Sequence, residues 1–419
     1  MIQIFTPDEF KKHNRSRSAQ FNTQNQDVSN TVSEILADVK AKGDEAVRYY
    51  EHKFGNDLPL KVTDEEISKA LECIDDKYIS MLNRASQNIR DFHQKQFISE
   101  YEISKNGITL GQRVIPIKRA GIYIPGGTAS YPSTLLMNVI PAKTAGVHDI
   151  FIATPSATPE ILAAAHITGV TNIFRMGGAQ AIGAMAFGTQ SIPKADKITG
   201  PGNIYVAEAK RQVYGLVDID SIAGPSEILI ISDGNSNPAF IAADMLAQAE
   251  HDANASAVTI TTSEALAREI QRQIDIQLEK LPRKNTALSS LKNNGAVIIA
   301  NSIDDAVELA NDFAPEHLEI CTDEPFTLLN RITNAATVFL GRYSPEALGD
   351  YYAGSNHTLP TMGTARFASP LSVYDFLKTS QYVYYDKSAL ANAANDIELF
   401  ALSEGLHAHA NSISIRGDC

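Results

Sequence analysis

The chain has 419 residues, a length that predicts roughly two to four domains. Its 36 basic and 49 acidic residues give a formal net charge of -13, which argues against nucleic-acid partners and anionic membrane surfaces. Three scattered cysteines, no apolar core of a signal peptide and no membrane-spanning apolar run predict a cytoplasmic protein with reduced thiols.

The first part of the chain has helical patterning. Residues 1–20 form a short polar lead with helical character. From about residue 27 to 98, apolar side chains recur with many charges between them, as in amphipathic helices. Thr63 followed by Glu66 fits a capping box, which predicts that a helix begins just after Thr63.

Short apolar runs replace this pattern beyond about residue 113. "RVIPIKRAGIYIP", "DIFIATP", "NIFRMGG", "KITGPGN" and "SEILIISD" are predicted strands, with small-residue helices such as "PEILAAAHITG" between some of them. After residue 226 the strands "AVTITT", "AVIIA", "HLEICT" and "ATVFLG" alternate with predicted helices through 239–252, 263–279 and 302–312. This alternation indicates an α/β fold with parallel sheets, in two units that meet near 223–226, followed by a helical tail from about 385.

Ligands of open parallel sheets bind beyond the carboxyl ends of the strands, so we expect functional residues just after the apolar runs. The Gly- and Pro-rich loops "GIYIPGGTASYPS" and "TGPGN" follow such runs, and "AGPSE" precedes one. Such turns allow a backbone to approach a ligand, but each loop alone favours a plain strand–helix turn. The chain contains no GxGxxG, so it does not carry the standard dinucleotide fingerprint.

Polar residues cluster in three places in the last two-fifths of the chain. With Asn237 as N-cap and Pro238 in the first turn, a helix would place Asp244, Gln248 and His251 on one face. A Gly- and Asn-containing loop holds Asp350 and His357, and the tail holds Glu404, His407 and His409. A lone histidine is more often a core residue than a ligand, but three clusters without cysteine favour a catalytic site of N and O donors. Spacing alone leaves open whether they converge.

Glu316 and His317 stand side by side in "DFAPEHLEI", where a strand is about to begin. They are either a solvated strand edge or a pair of proton carriers at the mouth of a pocket. Adjacent residues of a regular strand point to opposite faces. The two side chains therefore share a pocket only if the backbone turns there, and Pro315 favours such an irregularity.

A series of motifs resembles the histidinol dehydrogenases. They are "GIYIPGGTASYPST", "GGAQAIGAMAFGT", "ITGPGNIYVAEAKR", "DSIAGPSEILIISD", "LAQAEHD", "NDFAPEHLEI", "GDYYAGSNHTLPT" and "EGLHAHANS". They occur in the family's order from about residue 110 to 415. The resemblance implies oxidation of L-histidinol to L-histidine by two NAD-dependent steps through a bound aldehyde, at the end of histidine biosynthesis.

The resemblance also implies an architecture of two incomplete Rossmann-like α/β domains with parallel-rich sheets and small terminal helical segments. Residues 1–20 would be an N-terminal segment, 21–122 with 226–380 a discontinuous catalytic domain, and 123–225 the second Rossmann-like domain. Residues 381–419 would be a helical arm, swapped in a homodimer so that it completes the partner's active site.

Site residues follow from matching motifs. The implied ligands of one Zn²⁺ per subunit are Gln248, His251, Asp350 and His409. His317 is the implied base for the substrate hydroxyl and for the aldehyde hydrate, and Glu316 the implied base for the water that hydrates the aldehyde. Substrate contacts are implied for Ser226, Gln248, His251, His317, Asp350, His357, Glu404 and His409, and NAD contacts for Tyr123, Gln180 and Asn203. His407 departs from the family's pattern, and we expect it to be a solvated bystander.

Three other functions remain open from the sequence. A related NAD-dependent dehydrogenase could act on another polyol or amino alcohol with the same bases. A metal-dependent hydrolase would explain the donor cluster but not the Gly-rich loops. A non-catalytic binding module would leave three clusters of polar groups without a role.

Overall fold

The computed structural model describes residues 2–13, 26–126 and 130–417. The rest of the predicted lead to residue 20, part of the loop "GIYIPGGTASYPS", and Cys419 lie outside the described residues. The chain forms two compact units, one of Met1–Gln96 with Lys118–Phe376 and one of Phe97–Ile117 with Leu377–Cys419. No described helix is both long enough and apolar enough to cross a membrane.

The elements of both units are numbered together in chain order, and strands and helices alternate through most of the larger unit. In chain order the strands are β1 (Gln3–Phe5), β2 (Tyr101–Lys105), β3 (Ile108–Pro116), β4 (Arg119–Tyr123), β5 (Asp149–Thr154), β6 (Ile173–Arg175), β7 (Lys197–Thr199), β8 (Asp218–Ile219), β9 (Glu227–Ser232), β10 (Ser256–Thr261), β11 (Ala296–Ile299), β12 (His317–Cys321), β13 (Thr337–Leu340) and β14 (Leu377–Tyr385). The helices with described bounds are α1 (Gln26–Lys42), α2 (Asp44–Lys53), α3 (Asp64–Glu72), α4 (Asp76–His93), α5 (Pro132–Thr144), α6 (Pro159–Thr168), α7 (Gly178–Phe187), α8 (Ile204–Val213), α9 (Pro238–Ala249), α10 (Glu264–Leu278), α11 (Lys284–Asn294), α12 (Ile303–Phe313), α13 (Pro325–Leu329), α14 (Glu346–Tyr351), α15 (Lys387–Ser403) and α16 (His407–Gly417).

The amphipathic segments before residue 98 are helices, as predicted. The capping box at the start of α3 is confirmed, because Thr63 N–H donates to Glu66 Oε2 at 2.9 Å and Glu66 N–H donates to Thr63 Oγ1 at 3.3 Å. The prediction of a helical lead over residues 1–20 is only partly correct. Residues 7–13 are helical, but Gln3–Phe5 form a strand that pairs in parallel with β11.

The first parallel sheet has the strand order β6-β5-β4-β7-β8. From the central β4 the chain adds β5 and β6 on one side, and then crosses to add β7 and β8 on the other. This reversal creates a crevice beyond the carboxyl ends of β4 and β7, the usual ligand position in such sheets. Tyr123, the last residue of β4, and the loop that follows Thr199 lie at this crevice.

The second parallel sheet has the order β1-β11-β10-β9-β12-β13. Here β9 is the starting strand, with β10 and β11 on one side and β12 and β13 on the other. Its inner strands β9, β10 and β12 are buried on both faces, since every residue of each is buried, whereas the edge strands β1 and β13 are partly exposed. The strand order reverses between β9 and β12, the two strands that carry the candidate site.

The smaller unit contains an antiparallel sheet in the order β14-β3-β2 together with α15 and α16. The helical tail predicted beyond residue 385 is confirmed. Phe97–Ile117, which the sequence analysis assigned to the catalytic domain, belongs to this unit. The predicted domain boundaries stay predictions.

Candidate active site

Glu316 and His317 lie together in a buried pocket because the chain turns immediately before them. Helix α12 ends at Phe313, and Ala314 follows with a left-handed φ of 53°. Strand β12 begins only at His317, so Glu316 is not yet part of the regular pleat. The carboxylate Oε2 of Glu316 lies 3.7 Å from Nδ1 of His317, and the two residues are 6% and 4% exposed. The turn that the sequence analysis required is therefore present.

The backbone of Glu227 holds both side chains in place. Its N–H donates to Glu316 Oε2 at 2.8 Å, and its carbonyl oxygen lies 3.1 Å from His317 Nδ1. A carbonyl only accepts, so Nδ1 carries the hydrogen of this bond. The other ring nitrogen, Nε2, is buried and has no hydrogen-bond partner among the described residues. It lies 3.5 Å from Oδ1 of Asp350, an acceptor close enough to pair with it when the ring is protonated.

These residues occupy the amino ends of the strands, not the carboxyl ends. Ser226 and Glu227 stand at the start of β9, and Glu316 and His317 at the start of β12. The expectation that functional residues follow the strands is wrong here. Helix α9 returns from the carboxyl end of β9 to the start of β10, so its last turn reaches the amino edge and brings Gln248 there.

Helix α14 supplies acidic donors to this edge. Glu346 and Asp350 are four residues apart and therefore share a helix face. One donor atom from each of them and one from His251 lie within 4.8 Å of one another. The sequence analysis placed Asp350 in a loop and missed Glu346; the i, i+4 spacing of acids in "EALGD" was the available signal. The nitrogen and oxygen donors of this cluster fit a divalent cation such as Zn²⁺.

The predicted ligands Gln248 and His251 come from the end of α9. The sequence analysis placed His251 within that helix, which is wrong, because the helix ends at Ala249 and His251 lies beyond it. In the orientation that its neighbours require, the Gln248 amide donates to Glu346 Oε2 at 2.8 Å and accepts from Glu227 N–H at 2.9 Å. Although His251 is exposed, desolvation by nearby protein atoms lowers its pKa and favours the neutral imidazole that binds metals.

Buried carboxylates surround the imidazole ring of His317. Burial raises the pKa of Glu316 to about 8 and that of Glu346 to about 8. Burial alone would lower the pKa of His317, but the charges of Glu346, Glu316 and Asp350 together raise it well above its usual value. The pocket is therefore strongly electronegative and suits a cation or a cationic substrate.

A second pair of buried acids supports α14. Glu319, in β12, accepts the backbone N–H of Glu346 at 2.8 Å through Oε1. Glu319 also hydrogen-bonds to Asp244, the residue that the sequence placed on the same helix face as Gln248. Burial raises the pKa of Asp244 to about 6 and that of Glu319 well above its usual value, which favours the protonated form of both carboxyl groups.

His357 lies beside the same helix. Its Nδ1 donates to the backbone carbonyl of Asp350 at 2.9 Å, and burial lowers its pKa. Its neighbour Asn356 is buried, and the Asn356 amide donates to the carbonyl of Met137 at 2.6 Å. The structure thus brings Ser226, Gln248, His251, Glu316, His317, Asp350 and His357 to one edge of the second sheet.

The predicted NAD contacts lie around the first sheet. Tyr123 is buried, and its hydroxyl accepts the N–H of Gly178 at 3.1 Å. Gln180 is buried in the first turn of α7. Asn203 is exposed and caps α8, because its Oδ1 accepts from the N–H groups of Tyr205 and Val206. All three residues stand at the carboxyl edge of the first sheet. Tyr123 and Asn203 lie at the crevice beyond β4 and β7.

The remaining predicted residues belong to the smaller unit. Glu404 is the C-cap of α15, and His407 and His409 lie in the first turn of α16. All three side chains are exposed.

Comparison with known proteins assigns the family. A family model described as histidinol dehydrogenase matches residues 18–417. The chain is 50% identical over 414 residues to the histidinol dehydrogenase of Clostridium acetobutylicum, covering 97% of this chain and 96% of that protein. It is 49% identical over 402 residues to that of Lactococcus lactis, covering 94% and 93%.

A solved structure agrees. The crystal structure of histidinol dehydrogenase from Elizabethkingia anophelis superposes with a TM-score of 0.92 at 38% identity, covering 99% of this chain and 98% of that chain. The chain therefore belongs to the histidinol dehydrogenase family, oxidoreductases of histidine biosynthesis.

Proposed function

We propose that this chain oxidises L-histidinol to L-histidine through bound L-histidinal, with two NAD and one Zn²⁺ per subunit. The observation that carries the proposal is the unpartnered Nε2 of His317, 3.5 Å from Oδ1 of Asp350. A hydroxyl group brought next to the His251–Glu346–Asp350 cluster would lie beside a nitrogen that can accept its proton.

Gln248, His251, Asp350 and His409 remain the proposed zinc ligands. The close approach of His251 and Asp350 supports two of them, and Glu346 adds a carboxylate beside Asp350 and Gln248. These residues would hold the ion, which would supply Lewis-acid chemistry that helps to orient the substrate. Neutralisation of Asp350 by that charge would also lower the pKa of His317 and release its Nε2.

His317 would remove a proton in both oxidations. An alcohol cannot release hydride to the nicotinamide until its hydroxyl proton leaves. The hydrogen bond from Nδ1 to Glu227 holds the ring in the tautomer whose Nε2 has a free lone pair. The same nitrogen would take the proton of the aldehyde hydrate in the second oxidation.

Glu316 would prepare that hydrate. Because burial raises its pKa to about 8, Glu316 is populated in both proton states near neutral pH, as general acid–base catalysis requires. It lies 3.7 Å from the His317 ring and can therefore activate a water next to the same bound aldehyde.

The arm of a second copy would complete the pocket. Glu404 would hold the substrate ammonium by a charge-assisted hydrogen bond, and His409 would join the zinc ligands. Large apolar side chains are exposed on the smaller unit, including Val383, Leu399 and Phe400, which supports burial of this unit in a homodimer. Ser226 and His357 would contact the substrate from the pocket itself.

Tyr123, Gln180 and Asn203 would contact NAD. Their position at the carboxyl edge of the first sheet, at or beside its point of strand reversal, supports this role. No GxGxxG loop is present, so these contacts rely on an aromatic ring and two amides.

One experiment tests the proposal. Purified protein is incubated with histidinol and NAD, with and without a chelator, and NADH formed is counted against histidinol consumed. We expect two NADH per histidinol and loss of activity with the chelator. Formation of one NADH per substrate would indicate a simple alcohol dehydrogenase. Activity only with another polyol or amino alcohol would indicate a related dehydrogenase. Product without NADH would indicate a hydrolase.

A further inference from the structure

The N-terminus of α7 is already occupied by an acidic side chain of the chain itself. The N-terminal N–H groups of a helix are in general a binding site for anions such as phosphate. Here Oε1 of Glu51, a residue of α2, accepts the N–H of Gly177 at 2.8 Å. The next N–H, of Gly178, donates to the hydroxyl of Tyr123 at 3.1 Å. Neither group is available to a phosphate.

Glu51 is held firmly at this position. It is 4% exposed, and its second oxygen accepts the side-chain amide of Asn56 at 2.9 Å. Among the described residues no Lys or Arg lies within ion-pair distance of it, so N–H groups and the positive end of the α7 dipole compensate its charge. Such a carboxylate has a defined position and a strong preference for N–H donors.

The same Oε1 of Glu51 orients Gln180. This oxygen accepts the Gln180 amide N–H at 2.9 Å. The nitrogen end of the carboxamide therefore faces α2, and the oxygen end faces away from it. The freed end, Oε1 of Gln180, is buried and has no partner among the described residues, and the residue is 2% exposed. A buried acceptor without a donor is destabilising, so an oriented one of this kind indicates a ligand that supplies a donor.

We propose that Glu51 is a positioning residue for the cofactor: it directs the Gln180 carbonyl oxygen toward a neutral hydrogen-bond donor of the dinucleotide, an adenine amino or ribose hydroxyl group. This inference rests on the proposed NAD-dependent function. It assigns Gln180 the role of acceptor, while the N–H groups of Gly177 and Gly178 stay bonded to Glu51 and Tyr123.

The test compares three variants by steady-state kinetics. Glu51→Ala removes the partner of Gln180, whereas Glu51→Gln can keep an acceptor for the Gly177 and Gln180 N–H groups while removing the charge. Gln180→Leu removes the acceptor itself. Glu45→Ala, on the same helix but exposed, is the matched control.

We expect E51A and Q180L each to raise the KM for NAD about tenfold, the equivalent of one hydrogen bond, with the KM for histidinol and kcat within about twofold of wild type. The double variant should be no worse than either single, because both act through one contact. The KM for NAD of E51Q should stay closer to that of wild type than the KM of E51A does.

An unchanged NAD KM in Q180L, or additive effects in the double variant, would overturn the inference. If E51A does not fold, E51Q and Q180L still test the inference. A KM for NAD near the wild-type value in E51Q together with a raised KM in Q180L supports the inference. A raised KM for NAD in E51Q together with a normal KM in Q180L refutes it. Wild-type protein that forms no NADH with histidinol would instead refute the proposed function.

Discussion

Nε2 of His317 faces Oδ1 of Asp350 at 3.5 Å across the candidate active site. The opposite nitrogen of the ring is bonded to the carbonyl of Glu227, so one side of the imidazole has a structural contact and the other faces Asp350. Asp350 also belongs to the donor cluster with His251 and Glu346. This geometry connects the proposed base directly to the proposed ligands.

Replacement of His317 by Asn should abolish hydride transfer from histidinol. The Asn amide can still donate toward Glu227, but no side-chain base remains, and loss of a general base typically lowers rates about 10²–10⁴-fold. Stopped-flow measurement of NADH would record the loss, and metal analysis should show an unchanged zinc content. The exposed His52 provides the control variant, His52→Asn, which should keep full activity. Wild-type rates in H317N would remove this residue from the role of base.

Replacement of Glu316 by Gln should slow oxidation of histidinal more than oxidation of histidinol. The amide cannot accept a proton from water, whereas the first oxidation depends on His317. The two half-reactions are compared by supplying each substrate separately and following NADH. Glu308→Gln, at an exposed position of α12, is the matched control. Equal slowing of both steps would contradict the division of roles between Glu316 and His317.

Much of the second sheet was predictable because its inner strands are buried on both faces. "SEILIISD" contains a continuous apolar run within β9, and every residue of β9 is buried. The strand of Gln3–Phe5 is too short for a pattern, and its pairing with β11 spans almost the whole larger unit. Pairing over such a distance is determined by tertiary packing and is not visible in local sequence.

Prediction of the site failed where it depended on strand direction and on a very short helix. Glu316 precedes β12, and the rule for parallel sheets pointed to the opposite end of the strands. Glu346 was missed because α14 has only six residues and offers no helical signal beyond the single i, i+4 spacing of its two acids. Its burial, its bond to Gln248 and its support by Glu319 become evident only when three separate segments are assembled.

Mixing two inactive variants should restore activity if the arm of one chain completes the site of the other. In a dimer of H317N with His409→Asn, one site would carry both changes and the other neither. Random exchange of subunits would then give roughly one quarter of wild-type activity. The measurement is NADH formation after mild denaturation and renaturation of the mixture, with mass spectrometry of the heterodimer as the control for exchange. Heterodimers without activity would show that each site is built from one chain.

Stability should fall as the pH drops below about 6.5, in part because of His93. This residue is fully buried; its Nδ1 lies 2.7 Å from Gln96 Oε1 and its Nε2 lies 3.3 Å from the Asn356 amide. Burial lowers its pKa in the folded state, so the unfolded chain takes up the proton first and stability is lost as the pH falls from the unfolded to the folded pKa.

Each unit of that pKa difference is worth about 1.4 kcal/mol. The change to test is His93→Gln, which keeps an amide donor and acceptor but cannot be protonated. Thermal melting of the variant between pH 7 and 5 should show a shallower decline than wild type. His166→Gln, at an exposed position, should leave the decline unchanged. An equally steep decline in H93Q would mean that other groups cause the acid sensitivity.

The ion pair of Lys210 and Asp220 should be a major determinant of stability around the loop after β7. Their side chains are 2% and 4% exposed and in direct contact. Together they hold Gly200 from both sides, since Lys210 Nζ donates to its carbonyl at 3.0 Å and Asp220 Oδ2 accepts its N–H at 2.8 Å. Removal of one partner leaves the other charge buried and uncompensated.

Asp220→Asn and Lys210→Met should each lower the free energy of unfolding by about 3–5 kcal/mol, measured by urea denaturation. The double variant should lose less than the sum of the two, because no unpaired charge remains. The exposed pair of Arg268 and Glu264 is the control, and Glu264→Gln should change stability by less than about 1 kcal/mol. A loss in D220N as small as in this control would show that solvent reaches Lys210 and that the pair does not clamp Gly200.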